Sequence, residues 1–421
     1  MRVALLSLLE RTPVHRGQSD HSLAEVAEPR GELYVAGRSV IRHQFSLALA
    51  MGCARIIVLS ETLDGELPAL RDLADEHGVQ INVISTGKAL LSLVAPEDDL
   101  VVLNDGLLAL PEELLMRVEE GYGVYVLPVE TGLAAGFERI DINHASSGLM
   151  RLPGRIVAGL GDLPGDWDAP SALLRLAIQA GVRQVPVPAA LVEAGRWTTV
   201  RNEAEALAIE PRWLRFHTAS ENGRSPGQWL AASLVHWLGP AVLNAGTRPM
   251  VITFAALLTG LLGAGAGWFG FAALGFLLLG TGWLIRQTAV LLTRVGGGSV
   301  ESRPGSEAAF LWGGDVLFIL VASWRSDLSI GQGLPWAFAL FVPFVLFALL
   351  HLVQRMMPEN LPARGWFADR LLVGIVLAIV SVSAPFDAAL MVIVILLLLT
   401  GLILPGFIRA AAPNRALTKA E

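Results

Sequence analysis

Residues 387–408 have the sequence DAALMVIVILLLLTGLILPGFI, a run with a single charged residue, Asp387. A helix needs about 20 apolar residues to cross a hydrocarbon core that is roughly 30 Å thick. The run is long enough for this, and in hydrocarbon a lone segment can satisfy its own backbone groups only as a helix. The sequence therefore predicts that residues 387–408 form a membrane-spanning helix.

Five earlier segments have a similar length and composition. They are residues 249–267, 269–293, 307–323, 335–353 and 370–384. The third of these is polar enough to need neighbouring helices around it. We therefore expect an all-α domain of six membrane-spanning helices over residues 249–410.

The stretch before these segments has a different character. Residues 228–248 contain Trp229 and Trp237 and are interrupted by Gly239 and Pro240. Tryptophan is enriched where lipid head groups meet the hydrocarbon. The composition predicts a helix that lies in the membrane interface and does not cross the bilayer.

The placement of arginine and lysine predicts the orientation of the membrane domain. If the N-terminal half is cytosolic, only Arg325 lies in an outer loop, and the other basic residues flank the cytosolic helix ends. These are Arg248, Arg294, Arg303, Arg355, Arg364, Arg370, Arg409, Arg415 and Lys419. Because positive charge is retained in the cytosol, we expect a multi-pass protein of the inner (plasma) membrane. Its N-terminus, its C-terminus and the tail at 411–421 are expected in the cytosol.

In the first half of the chain, short apolar runs alternate with amphipathic helical stretches, which is typical of βαβ units and a parallel sheet. The predicted strands are residues 3–9, 56–59, 81–84, 100–103, 124–129, 146–151 and 184–187, and the predicted helices are residues 40–51, 67–77, 111–119 and 170–180. We expect a doubly wound, mostly parallel α/β sheet over residues 1–217 and a polar linker at 218–227. This half is acidic and has no basic stripe, so no nucleic-acid partner is expected.

Two neighbouring motifs in the α/β half resemble a known family. Residues 31–44, GELYVAGRSVIRHQ, and residues 52–59, GCARIIVL, are similar to a turn, helix and strand of the sugar-1-phosphate nucleotidyltransferases. The resemblance covers residues 1–215 and implies a nucleotide-binding domain. It also implies a nucleotide- and metal-binding role for Asp105, in the sequence VLNDG at 102–106. An Asn-Asp-Gly turn after a strand is the alternative role for this aspartate.

The α/β half departs from this family where phosphate and metal are bound. The family has a glycine-rich loop after its first strand, because backbone N–H groups must approach phosphates without a Cβ between them. Here residues 9–17, LERTPVHRG, contain one glycine, at the end. The second acidic ligand is replaced by residues 199–202, TVRN. The resemblance therefore implies a nucleotidyltransferase-like domain that does not transfer nucleotides.

The membrane half resembles the CDP-alcohol phosphatidyltransferase family, and the whole chain resembles the fused inositol-phosphate cytidylyltransferase and di-inositol-phosphate phosphate synthases. In that family, aspartates on the second and third helices hold divalent metals, and one acts as general base. With the family's arginine placed at Arg294, the aspartate positions are occupied by Arg286, Ala289, Glu307 and Leu311. The resemblance thus implies a site that has lost most of its acidic residues. We expect an ion pair between Arg286 and Glu307 in place of the cation.

Two functions are compatible with the sequence. The first is a non-catalytic protein of polar-lipid or phospho-alcohol biosynthesis, without a cofactor. It would bind a CDP-linked alcohol or lipid head group in the lipid bilayer, or scaffold an intact synthase or a second copy of itself.

The second function is an active transferase that moves a phosphoalcohol from a CDP-linked donor to a hydroxyl acceptor, with Mg²⁺ or Mn²⁺. Its candidate catalytic residues are Glu307 and Asp315, and its candidate substrate-binding residues are Arg286, Arg294 and Arg303. We also expect His351, near the end of a predicted span, to lie at the membrane interface.

Overall fold

The structure is a computed structural model that describes residues 1–12, 29–119, 121–164, 167–218, 225–244, 249–295, 304–326, 337–357, 361, 363–383 and 385–411. The chain forms two compact units, Met1–Phe216 and His217–Glu421. The first unit combines strands and helices, and the described part of the second is helical.

The first unit is built on seven strands. They are β1 (Arg2–Ser7), β4 (Arg55–Leu59), β5 (Gln80–Ile84), β6 (Asp99–Leu103), β8 (Gly123–Pro128), β9 (His144–Pro153) and β10 (Gln184–Pro186), and they form one sheet in the order β10-β8-β9-β6-β1-β4-β5. Two short antiparallel pairs join β2 (Tyr34–Val35) to β3 (Arg38–Ser39) and β7 (Leu107–Ala109) to β11 (Trp197–Thr199).

The large sheet is mixed, with a parallel majority. β1 is parallel to β4 and β6, β4 to β5, and β8 to β10, whereas β9 is antiparallel to both of its neighbours. The predicted parallel-rich α/β sheet is therefore confirmed in its main part. The reversal at β9 was not predicted, because the apolar pattern of a strand buried on both faces does not encode its direction.

Helices cover both faces of this sheet. The helices between the strands are α1 (Val40–Ala50), α2 (Leu67–His77), α3 (Leu90–Leu93), α4 (Pro111–Glu119), α5 (Val129–Ala134), α6 (Ala169–Gln179) and α7 (Ala189–Glu193), and α8 (Glu203–Thr218) follows the last strand. Leu6 of β1 belongs to a core on one face with Phe45, and Leu5 belongs to a core on the other face with Leu173. Because both faces are buried, the strands read as continuous apolar runs in the sequence.

The winding of the sheet reverses between β1 and β6. From β1 the chain passes to β4 and β5 on one side, and then returns to β6 on the other side. In open α/β sheets, ligands bind outside the carboxyl ends of the strands at such a reversal. Ser7 ends β1, and Asn104 and Asp105 directly follow β6, so these side chains lie at this crevice.

The described part of the second unit contains one helix for each of the seven predicted segments and one short helix, Ala363–Ala368, that was not predicted. The helices are α9 (Pro226–Asn244), α10 (Pro249–Trp268), α11 (Ala272–Val295), α12 (Pro304–Arg325), α13 (Ala337–Met356), α14 (Ala363–Ala368), α15 (Arg370–Val382) and α16 (Phe386–Ala411). Among the described residues, four stretches are long and apolar enough to span a membrane: Val251–Trp268, Ala272–Val295, Ala339–Met356 and Phe386–Ile403. α15 has 13 residues, or about 20 Å of helix. The predicted count of six spans therefore stays a prediction.

Glycine lets α11 pack closely against two neighbouring helices. A Cβ atom on Gly275 would lie 2.8 Å from the carbonyl oxygen of Gly263 on α10. A Cβ atom on Gly374 of α15 would lie 2.6 Å from the carbonyl oxygen of Phe276 on α11. Such close approach through small residues is typical of helices that associate in membranes.

Candidate functional site

In the first unit, Asp105 ties the end of β6 to the segment that follows β1. Its Oδ2 atom accepts hydrogen bonds from the Ser7 hydroxyl at 2.8 Å, from the Leu9 N–H at 3.1 Å and from the Glu10 N–H at 2.9 Å. The turn after Asp105 depends on Gly106, whose φ is +74° and whose Cβ would collide with the carbonyl oxygen of Val200. The Asn-Asp-Gly turn thus sets the carboxylate against the β1 segment.

The environment of Asp105 favours its neutral form. Burial raises the pKa of the carboxyl to about 7, against the opposing effect of the hydrogen bonds from Glu10 and Ser7. Its Oδ1 atom is enclosed and has no hydrogen-bond partner among the described residues. The Asp105 side chain held in this way fixes a loop, and its Oδ1 remains for a ligand, as an acceptor when the carboxyl is ionised and as a donor when Oδ1 carries the proton. Its nucleotide-binding role stays a prediction.

Two further unpaired oxygens belong to Asn104, which precedes Asp105 in the chain, and to Gln44, whose side chain contacts the Asn104 backbone. Gln44 on α1 donates from Nε2 to the carbonyl oxygens of Asn104, at 2.8 Å, and Leu107, at 3.0 Å. The Oε1 of Gln44 and the Oδ1 of Asn104 are enclosed and have no partner in the described part of the chain. Buried acceptors are rarely left unpaired in native proteins. The crevice at the carboxyl end of β6 therefore offers acceptor oxygens to a ligand rich in N–H or O–H groups.

The motif on which the nucleotidyltransferase resemblance rests forms a tight hairpin before α1. Ala36 and Gly37 have φ values of +52° and +75°, which is typical of a type I′ turn. Arg38 follows the turn, and burial, together with the charge of Arg42, lowers its pKa to about 10. Arg42 itself pairs with Glu66, the residue directly before α2. The hairpin thus places one partly buried cation, Arg38, at the start of α1.

In the second unit, three ionisable side chains from three helices form a closed cluster. Asp315 of α12 accepts hydrogen bonds from Arg370 of α15, Nε to Oδ1 at 2.8 Å and Nη2 to Oδ2 at 2.8 Å. His351 of α13 contacts the same Oδ2 through its Nε2, at 2.7 Å. Arg370 also donates from Nη1 to the carbonyl oxygen of Phe367, at 2.9 Å. Every polar atom of Asp315 is therefore satisfied by a protein group.

Aromatic rings enclose this cluster. The ring of Trp312 stacks on His351 with centroids 4.5 Å apart, and the guanidinium of Arg370 lies 5.9 Å from the ring centre of Phe347. Asp315 and Arg370 are each only 2% exposed. The imidazole of His351 thus lies between the carboxylate of Asp315 and the ring of Trp312, and its expected position at the membrane interface stays a prediction.

The residues of this cluster do not suit a divalent cation. Both oxygens of Asp315 already bind a guanidinium, whose positive charge repels a metal ion. Within the described residues there is also no group of three or more His, Cys, Asp or Glu side chains that could hold a metal. Asp315 is better described as half of a buried ion pair than as a metal ligand.

The structure describes the other predicted site residues only in part. Arg286 lies with its guanidinium 5.5 Å from the ring centre of Phe310, and Arg294 is exposed in the last turn of α11. Arg303 and the side chain of Glu307 lie outside the described residues. The expected ion pair of Arg286 with Glu307 is therefore untested.

Sequence reasoning missed Arg370 and His351 as members of a site. Arg370 counted only as a basic residue beside a span, and His351 as an interfacial one. A usable signal was present, because a charge inside an apolar helix normally needs a partner of opposite charge. Asp315 is such a charge, and Arg370 begins a neighbouring apolar segment.

No protein-family model and no curated protein matches the chain. Solved structures similar to the N-terminal half include one described as a glucose-1-phosphate thymidylyltransferase from Bacillus anthracis, at 12% identity and a TM-score of 0.36, covering 50% of this chain and 94% of that one. A UDP-glucose pyrophosphorylase from Acinetobacter baumannii matches at 15% identity and a TM-score of 0.36, covering 52% of this chain and 94% of that one. The inositol-1-phosphate CTP transferase from T. maritima matches at 14% identity and a TM-score of 0.35, covering 50% of this chain and 96% of that one.

Proposed function

We propose that this chain is a membrane protein of polar-lipid or phospho-alcohol biosynthesis that binds or scaffolds and does not catalyse transfer. The proposal rests on the cluster of Asp315, His351 and Arg370. A CDP-alcohol transferase needs carboxylates that are free to hold divalent metals. Here the carboxylate of Asp315 forms an ion pair with Arg370.

The energetics of the cluster support a structural role for Asp315. A metal ion could reach its oxygens only by displacing Arg370, which is 2% exposed. The displaced guanidinium would then be a buried charge without a counterion, which is strongly unfavourable. Arg370 therefore competes with any divalent cation for the same carboxylate.

The crevice of the first unit supports ligand binding without nucleotidyl transfer. Asp105 uses Oδ2 to hold the segment after β1. The unpaired oxygens of Asp105, Asn104 and Gln44 suit donor groups of a ligand such as a nucleotide or polyol. We assign to this crevice the recognition of a nucleotide-linked alcohol.

The test uses the full-length chain purified in detergent. Binding of CDP-linked alcohols is measured by equilibrium dialysis with Mg²⁺ or Mn²⁺. Release of CMP is followed in parallel samples that also contain a hydroxyl acceptor, and release of pyrophosphate is followed in samples that contain CTP and a sugar phosphate instead. We expect saturable binding, with product release no higher than in a matched sample that contains EDTA.

Metal-dependent CMP release above the EDTA sample would contradict the proposal and select the active transferase. Binding that is lost in Gln44→Leu but kept in Arg294→Gln would place the ligand in the crevice of the first unit. Absence of binding, together with co-purification of an intact synthase, would select the scaffolding form.

A further inference from the structure

We propose that His351 and Arg355 of α13, together with the ring of Trp312, form a binding site for the head group of a phospho-alcohol. In this site, Nδ1 of His351 accepts a hydrogen bond from a hydroxyl group of the ligand. The guanidinium of Arg355 pairs with the phosphate, and the indole ring packs against the carbon skeleton. The biosynthetic context of the ligand rests on the proposed function, whereas its chemistry follows from these three side chains.

The contacts of His351 determine which of its ring nitrogens carries a proton. Nε2 lies 2.7 Å from Oδ2 of Asp315 and 3.2 Å from Nη2 of Arg370. Both oxygens of Asp315 already accept hydrogen bonds from the guanidinium, so this carboxylate acts as an acceptor. The shorter contact is therefore a hydrogen bond that Nε2–H donates to Asp315, an assignment that follows from the hydrogen-bond network. The neutral ring then has its lone pair on Nδ1.

Nδ1 of His351 is available to a ligand. Among the described residues it has no hydrogen-bond partner, and it does not belong to the enclosed side-chain atoms that lack one. The two ring nitrogens lie on different edges of the imidazole, so the bond to Asp315 directs Nδ1 away from the ion pair. A lone-pair nitrogen in this position suits a donor such as a hydroxyl group.

Arg355 supplies a positive charge one turn further along the same helix. It lies in the last turn of α13, four residues after His351, so the two residues share one face and are ~6 Å apart along the axis. Arg355 is exposed and has no hydrogen bond or ion pair within the described part of the chain. A guanidinium binds phosphate through parallel N–H···O bonds and repels an ammonium group. The two side chains therefore favour a ligand with a phosphate next to hydroxyl groups.

Trp312 provides an apolar surface beside these two groups. Its ring stacks on the imidazole of His351 with an interplanar angle of 17°, and the residue is nevertheless 51% exposed. Gly313 and Gly314 follow it on α12, and a Cβ atom on either would meet no atom within 4 Å. There is thus room for a ligand next to the exposed ring. The face of an indole accommodates the carbon atoms of an alcohol while the hydroxyl groups bind elsewhere.

The site is tested by the reaction of His351 with diethyl pyrocarbonate, which modifies an accessible, neutral imidazole nitrogen. The full-length chain is placed in phosphatidylcholine nanodiscs, and the modification of each histidine is followed by mass spectrometry. His77, which is exposed in the first unit, is the internal reference for the reagent.

Three additions are compared. Phosphatidylglycerol has a phosphate and hydroxyl groups on a lipid, phosphatidylmethanol has the same charge without a hydroxyl group, and glycerol 3-phosphate is the soluble probe. We expect phosphatidylglycerol, glycerol 3-phosphate or both to slow the reaction of His351 roughly threefold once the probe exceeds its Kd about twofold. Phosphatidylmethanol is expected to have little effect.

The pattern of protection identifies the source of the ligand. Protection by the lipid alone assigns the site to lipid head groups, and protection by the soluble probe alone assigns it to a free phospho-alcohol. Equal protection by phosphatidylmethanol overturns the proposal, because charge without a hydroxyl group would then suffice. A His351 that reacts equally in all samples, or that does not react without a probe, overturns it as well.

Arg355→Gln tests the phosphate-binding part of the site. The change is at an exposed position, so we expect the reaction of His351 without a probe to be unchanged and the protection by the probes to be lost. Gln354→Ala, on the neighbouring face of α13, is the matched control and should keep full protection. Full protection in Arg355→Gln, or an equal loss in both variants, would overturn the role of Arg355.

This experiment can fail independently of the proposed function. It uses neither a CDP-linked alcohol nor the release of CMP. Metal-dependent release of CMP would contradict the proposed function and leave the protection of His351 as it is. An unprotected His351 in a chain that releases no CMP would overturn the head-group site alone.

Discussion

Arg370 and Asp315 form a bidentate ion pair in the helical unit, with nitrogen–oxygen distances of 2.8 Å for both contacts. The pair joins α12 to α15. His351 of α13 contacts Oδ2 of the same carboxylate, so a third helix is linked to the pair. A paired carboxylate and guanidinium of matched geometry are far less costly to bury than either charge alone. The stability of the unit should therefore depend on both partners together.

Removing one partner of this pair is expected to destabilise the helical unit strongly. Asp315→Asn or Arg370→Gln leaves a buried charge without its counterion, a change that costs about 3–5 kcal/mol. Thermal unfolding in detergent measures the effect. The double variant Asp315→Leu with Arg370→Met removes both charges and should be closer to wild type than either single variant. Single variants as stable as wild type would contradict this account.

The stability of the first unit is expected to fall as pH rises through about 7. Burial raises the pKa of Asp105 from 3.8 to about 7, so the folded state binds this proton more tightly than the unfolded state. The corresponding stability is complete below pH 3.8 and is lost as pH rises through about 7. Hydrogen exchange of peptides that cover residues 2–12, corrected for intrinsic rates, measures it.

Asp105→Asn is the matched control for this pH dependence. It keeps an oxygen acceptor for Leu9 and Glu10 but cannot ionise. Its protection should change less between pH 5 and 8 than that of wild type, as expected when a titrating group has been removed. Equal pH dependence in the two proteins would show that another group is responsible.

Gly275→Ala is expected to weaken the crossing of α10 and α11. The added methyl group meets backbone atoms of Gly263 and Gly267, which cannot move aside as a flexible side chain would. Overpacking of this kind costs about 1–3 kcal/mol. Gly265→Ala is the control, since its Cβ meets no atom within 4 Å. The two variants are compared by thermal unfolding in detergent, and equal midpoints would exclude a tight crossing at Gly275.

The orientation predicted from the basic residues is tested by labelling. In a Cys53→Ser background, a cysteine replaces Gly297, which lies between α11 and α12 in the chain. An impermeant maleimide should label it in inverted membrane vesicles and not in intact cells, because arginine-rich loops are retained in the cytosol. Labelling in intact cells would reverse the predicted topology.

Several elements of both units could be predicted from local patterns. The helices Leu67–His77 and Pro111–Glu119 have the predicted bounds, and β4 (Arg55–Leu59) begins one residue earlier than expected. Periodicity and apolar length are properties of neighbouring residues, so they are visible in the sequence. The same reasoning identified Asp105 and Asp315 as unusual carboxylates, but it did not identify their partners.

The sequence by itself determined the division into an α/β half and an apolar helical half, because composition and period need no knowledge of contacts. The tertiary structure alone decided which distant groups meet: Asp105 with Ser7, Arg370 with Asp315, and Asp369 with Gly227. It also decided the direction of β9 between β6 and β8. These features depend on how elements far apart in the chain pack. The free energy of burying a polar group depends on whether a hydrogen-bond partner is present, and the fold supplies that partner.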